Sequence, residues 1–421
     1  MKTKSILAGL LMAATSLWNA QSWQLIGDQA DMSGSASTIA ISMNNNMIYS
    51  AGQLRYGALT TNQVFKWDFT EWAPLGNVDI GTANIKKIVL DHTDKVYMIG
   101  SFKDASNKYY VRYWNGTSWS ELGNLRSVTE FVDIGSDGTN IYVAGNFVNT
   151  ATGETCYLNK WNGSSWSVVT ASNFNGLINS IAFDNQNNII VGGEMKNALN
   201  QYGIYKISGN TVSEVGKLRA TIPVSKVLVN RANNDVAAAT DLYVAAYQVS
   251  TNNWQNFTDA DQTKPVDLDP NGYLLFRARY DQPYAFNIYQ TYMGSYIAMQ
   301  QNPVQFAGDC RYDKFGYVVC SNRDSGKIYR WSQKIGSGLA TSETTAKSKI
   351  TIYPNPSTGI VNISNKEKIS SLEVYDAAGK LLQKAQPNID KTQIDLSGKK
   401  GVYMIKATSN SGSDAQNVII K

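Results

Sequence analysis

The stretch VRYWNGTSWSELG, Val111–Gly123, decides the fold. An alternating strand enters Asn115-Gly116, a pair that accepts the positive φ angles of a two-residue hairpin turn, and a second strand leaves it. Close copies are VFKWDFTEWAPLG from Val64 and LNKWNGSSWSVV from Leu158, and weaker ones are IYKISGNTVSEVG, AAYQVSTNNWQNF and FNIYQTYMGSYIAM. Trp72, Trp119 and Trp166 stand 47 residues apart. Ahead of each copy lies another strand-turn-strand unit: IAISMNNNMIYSAGQL from Ile39, IVLDHTDKVYMIGSF from Ile88, VDIGSDGTNIYVAGNF from Val132 and IAFDNQNNIIVGGEM from Ile181. Degenerate versions start at Val227, Val266 and Cys310. Four short strands per repeat of roughly 40–50 residues is the spacing of a β-propeller blade.

The seventh repeat stops at KIYRWSQK, near Lys334, one strand short. SWQLIG from Ser22 matches SWSELG and EWAPLG, so the N-terminal strand can complete the last sheet and leave no open edge. Residues 21–335 are therefore expected to form an all-β, seven-bladed propeller; six or eight blades also fit the degenerate fifth and sixth copies.

Residues 1–20 read as a signal peptide: Lys2 and Lys4, a short apolar run from Ile6 to Leu17, then small residues before Ala20–Gln21, with a cut after Ser16 as the alternative. No cysteine near the cut suggests a lipid anchor, and no other stretch approaches the ~20 apolar residues of a membrane span. Residues 336–348, GSGLATSETTAKS, read as a flexible linker, and 349–421 as a small Ig-like β-sandwich. Of the net charge of +5, residues 1–20 hold +2 and 341–421 hold +4, leaving the propeller segment near −1. A near-neutral domain lacks the basic footprint of a nucleic-acid binder.

Three cysteines are present. Cys310 and Cys320 flank the turn at Asp313–Gly316, where a three-residue loop would set them opposite each other. A cross-strand disulfide and two buried thiols both fit; Cys156 is expected to stay unpaired and buried.

No catalytic set, metal site or cofactor is expected. The single histidine, His92, sits in a turn, and one histidine cannot furnish the usual zinc sites or triads. Asp267, Asp269, Asn271 and Gly272 match the start of a calcium loop, but its twelfth position is Ala278, and every other repeat has a β-turn there. The recurring tryptophans read as packing between blades more readily than as sugar platforms. Asn115 and Asn162 match the glycosylation pattern, although the turns explain both. Tyr109, Tyr110, Tyr280, Tyr284, Tyr289 and Tyr292 recur less regularly and could line a face.

Residues 349–421 carry Tyr353-Pro354-Asn355-Pro356 with Gly359, then Val374-Tyr375-Asp376 with Gly379, then Gly401-Val402-Tyr403, and a terminal Lys421. In order and spacing this resembles the type A C-terminal sorting domain of Bacteroidetes type IX secretion cargo. The resemblance implies the secretion machinery as a partner and a destination outside the cell or on its surface, and covers only the last fifth of the chain. In period and aromatic placement the propeller resembles kelch and galactose-oxidase-like propellers, though the copper oxidase of that group needs two histidine ligands. The expected function is a secreted or surface propeller that binds glycan or protein without catalysis. The alternatives are a glycoside hydrolase or polysaccharide lyase working in the channel, and a structural envelope protein.

Overall fold

The computed structural model describes residues 23–148, 153–169, 174–258, 264–268, 274–280, 285–292, 295–299, 307–334, 351–376, 380–409 and 412–421. The segments read as signal peptide and linker, the turn at 269–273, Tyr284 and Gly379 lie outside these residues, as do the side chains of Ala278, Tyr280, Tyr289 and Tyr292.

The described chain is all β, built largely of four-stranded antiparallel sheets. The first comprises Met32–Ile41, Ile48–Tyr56, Phe65–Trp67 and Trp72–Pro74, in sequence order from one edge to the other. The next five start at Ile85, Asp133, Ile178, Lys226 and Lys264 and repeat that order. The seventh takes Ala307–Tyr312, Tyr317–Asn322 and Ile328–Lys334 from one end of this region and Trp23–Leu25 from the other, pairing Trp23 with Trp331 and Leu25 with Tyr329. Trp23 thereby takes the place that Trp72, Trp119 and Trp166 occupy against Trp67, Trp114 and Trp161. In the same sheet Cys310 pairs with Cys320, and their sulfurs are bonded. Cys156 is free and buried.

The apolar clusters lie between sheets. Ala40, Tyr49 and Val64 of the first pack with Ile85, Val96 and Met98 of the second, and Tyr97, Ile99 and Val111 of the second with Ile134, Ile141 and Val143 of the third. Val319 and Ile328 of the seventh pack with Ile39 and Leu54 of the first. Each sheet thus buries its faces on its two neighbours.

The repeated Leu-Gly dipeptide has a role that the sequence does not reveal. The indole N–H of Trp119 donates to the Leu75 carbonyl at 2.6 Å, that of Trp166 to Leu122 at 2.7 Å, and that of Trp72 to Ile26 at 2.7 Å. The glycine after each acceptor has φ near +60° and lies against an aromatic ring of the following sheet. A Cβ on Gly123 would sit 2.6 Å from the Trp161 ring, a separation that no side chain tolerates. The tryptophans are thus joints between sheets.

One turn differs from expectation. Trp114 pairs directly with Trp119, so Asn115–Ser118 is a four-residue loop and not a two-residue turn. Asn115 Oδ1 accepts from the Thr117 and Ser118 backbone N–H groups at 3.0 and 2.9 Å, a local bond that favours the wider loop.

The C-terminal region pairs Thr351–Tyr353, Ile360–Ile369 and Ile389–Asp395 in one sheet; Leu381–Ala385, Ser371–Tyr375, Gly401–Ser409 and Gly412–Ile420 form another. Val361, Ile363, Leu372, Val374, Ile405 and Val418 share one core drawn from both sheets.

Gly123→Ala combines a disfavoured φ with a steric clash. It should lower stability by about 2 kcal/mol, read as an earlier thermal unfolding midpoint.

Candidate functional site: the central channel

Residues from the innermost strands of all seven propeller-region sheets line one cavity of about 380 Å³. An innermost strand is an edge strand, so part of its N–H groups find no partner within its own sheet. Side chains of the preceding sheet supply the acceptors. Thr38 Oγ1 accepts from Ile88 N at 3.3 Å, Asp133 Oδ2 from Ile181 N at 2.8 Å and Ser180 Oγ from Val227 N at 3.1 Å. Asp309 Oδ2 accepts from Ile39 N at 3.1 Å, which joins the seventh sheet to the first. Asp267 Oδ2 does the same for Tyr312 N at 2.7 Å, two residues further along the strand.

Apart from Asp267, these acceptors occupy one register position, four residues ahead of the turn. Two cations share it, Lys87 and Lys226, and a cation cannot accept an N–H. Lys87 turns to the third sheet and pairs with Asp133 Oδ1 at 2.6 Å. Asp309 is likewise paired with Arg311, at 3.0 Å. The Lys226 ammonium forms no hydrogen bond or ion pair with any described residue. Desolvation, reinforced by the nearby charge of Lys87, pushes its pKa down to about 8.

The carboxylates respond differently to the same surroundings. Burial alone would push Asp133 up, but Lys87, Lys226 and the Ile181 N–H outweigh it, and the group titrates below the usual range. At Asp267 burial wins over Arg311, and the carboxyl titrates above the usual range. Tyr312 contributes to the cavity wall, but its hydroxyl is enclosed in protein.

The turn residues form a second set of fasteners. His92 bonds the Gly138 carbonyl through its backbone N–H at 2.8 Å and also through its ring Nδ1, linking the second and third sheets. Asn44 Nδ2 reaches the His92 carbonyl at 2.8 Å, and the Lys314 ammonium reaches the Asn44 carbonyl at 2.7 Å. Turn aspartates hold their own loops: Asp91 Oδ1 accepts from Thr93 N and Lys95 N, and Asp184 Oδ1 from Gln186 N and Asn188 N. Among the described residues, no group of three or more His, Cys, Asp or Glu side chains is placed to hold a metal ion. Tyr110 is buried under the Arg126 guanidinium, and Tyr109 faces the Lys103 ammonium, so neither belongs to the channel.

The C-terminal motif residues divide into holders and exposed groups. Asn355 Oδ1 accepts from Ile419 N at 2.9 Å while its Nδ2 donates to the Asn417 carbonyl at 2.8 Å, fixing the Tyr353–Pro356 segment to the last strand. A Cβ on Gly359 would meet Ser397 Oγ at 2.5 Å. Asp376 accepts from Lys380 N at 2.9 Å, Gly401 takes φ +126°, and Tyr403 is buried with its hydroxyl donating to the Lys400 carbonyl. Tyr353, Pro354, Pro356 and Lys421 stay exposed.

Residues 351–421 match the family of secretion system C-terminal sorting domains. The match indicates export by the type IX system to the cell surface or the extracellular space. No curated protein matches the sequence. Among solved structures, the chain is similar to a streptogramin B lyase, with TM-score 0.53 and 10% identity over 75% of this chain and 98% of that one. It is also similar to PorZ, an essential surface component of the type IX system of Porphyromonas gingivalis, with TM-score 0.49, 13% identity and 91% of this chain covered. A third similar structure is the extracellular domain of a putative hybrid two-component system from B. thetaiotaomicron, with TM-score 0.49, 11% identity and 96% of this chain covered. The chain spans 59% of the length of each of these last two. At such identities the first likeness speaks to fold alone.

Lys226 gives the channel a measurable signature. Its folded-state pKa of about 8 lies below the ordinary 10.5, so the unfolded chain binds more protons between those values. Stability should rise with pH across that window, and the gain is lost as pH falls through about 8. Lys226→Met should flatten this slope and stabilise the fold at pH 7 by about 1 kcal/mol, read by denaturant titration across pH.

Proposed function

We propose that the chain is a type IX secretion cargo whose propeller binds a glycan or protein without catalysing a reaction. In this reading a signal peptide over 1–20 precedes a seven-bladed propeller over 21–335, closed by its N-terminal strand. A linker over 336–348 leads to an Ig-like sorting sandwich over 349–421. The repeated sheet order and the pairing of Trp23–Leu25 with Ile328–Lys334 support the blade count and the closure.

One observation carries the non-catalytic reading. Asp133, Asp267 and Asp309 each accept a backbone N–H from a neighbouring sheet, so the channel's described acids act as fasteners. Glycoside hydrolysis needs two carboxyl groups poised across a scissile bond. A lyase working through tyrosine needs an accessible phenol, and the Tyr312 hydroxyl is enclosed.

Purified secreted protein applied to an array of glycans and envelope components should bind at least one of them and leave its mass unchanged. New reducing ends or unsaturated fragments would overturn the reading. Deleting residues 351–421 should hold the chain in the periplasm, as read by fractionation; export of the truncated chain would contradict its assignment as a cargo.

A further inference from the structure

Lys226 is the one charged belt residue whose ammonium forms no hydrogen bond or ion pair with a described residue, although Asp133 and Asp309 attract it at longer range. Asp133 is engaged by Lys87, and Asp309 by Arg311. Lys226 lines the cavity of about 380 Å³ together with the small residues Ala40 and Ala182. Arg231, which also lines the cavity, is exposed and donates to Asn187 Oδ1. An unpaired charge in such a place costs stability unless a ligand supplies its partner.

We propose that the channel binds a small carboxylate-bearing molecule, with its carboxylate on the Lys226 ammonium. This rests on the binding reading above and narrows it to a ligand class. A single ammonium without a direct ion pair matches a singly charged group better than a phosphate dianion, which would remain under-neutralised. A uronic acid and a free organic acid carry the same carboxylate, and the cavity walls decide between them. The charged groups acting on Lys226 are Lys87 and Asp133 from the second and third sheets and Asp309 and Arg311 from the seventh, while Asp267 of the sixth and Arg231 of the fifth line the same cavity. The first and fourth sheets present Thr38 and Ser180, which do not titrate in the range of interest.

Isothermal titration of the full secreted chain with sodium glucuronate, sodium lactate and glucose tests the proposal. At least one carboxylate should bind at pH 7 and glucose should bind more weakly; glucuronate above lactate identifies an acidic sugar, and the reverse an organic acid. Lys226→Met should weaken carboxylate binding by about tenfold or more, the loss expected for one charge-assisted hydrogen bond. Lys226→Arg should retain most of it. Affinity should also fall between pH 7 and pH 9.5, as the ammonium loses its proton. Equal affinity in wild type and Lys226→Met, with both folded by thermal melt, would overturn the proposal, as would carboxylates that fail to bind at all. If an array ligand still binds both proteins equally, the binding reading survives and only the role of Lys226 falls.

Discussion

Five junctions between sheets depend on backbone N–H groups at the innermost edge for which their own sheet offers no acceptor. A propeller built of separate sheets must solve this repeatedly, because an unpaired buried amide costs as much as several ordinary contacts contribute. Here the solution is a side-chain oxygen from the previous sheet: Thr38, Asp133, Ser180, Asp267 and Asp309 serve five junctions. At the outer edge the tryptophan indoles perform the corresponding task by donating to the carbonyl before each glycine. Both devices join neighbours across a gap that backbone pairing does not span.

This arrangement places chemistry and architecture in competition for the same residues. A carboxylate that fastens two strands has little freedom to attack, protonate or ligate. Lys226 escapes that duty because an ammonium cannot accept an N–H. The belt therefore tells structural residues from available ones by the direction of the hydrogen bond each can make. The sorting domain shows a similar division, with Asn355, Gly359 and Tyr403 holding the fold while Tyr353, Pro354, Pro356 and Lys421 face outward.

The strands and their order were legible from the chain, because alternation and turn chemistry are local properties. So was the pairing of the two ends, since SWQLIG repeats a segment whose place in the unit was already clear. The belt was not legible. Its members are Thr, Lys, Asp, Ser, Lys and Asp, which share a position and not a chemistry; counting four residues back from each turn would have aligned them. The width of the Asn115 loop escaped because side-chain bonds within the turn decided it. His92 read as a solvated turn residue; it is exposed, yet it bonds Gly138 across two sheets, a contact set by tertiary placement alone.

The central claim is a ring closed by the strand Trp23–Leu25, and hydrogen exchange on the peptide covering residues 23–31 tests it most directly. If the strand completes the seventh sheet, its amides should exchange as slowly as those of Ile328–Lys334, through the same cooperative opening. Exchange at the rate of an unstructured peptide, with Ile328–Lys334 still protected, would contradict closure and leave the last sheet with an open edge.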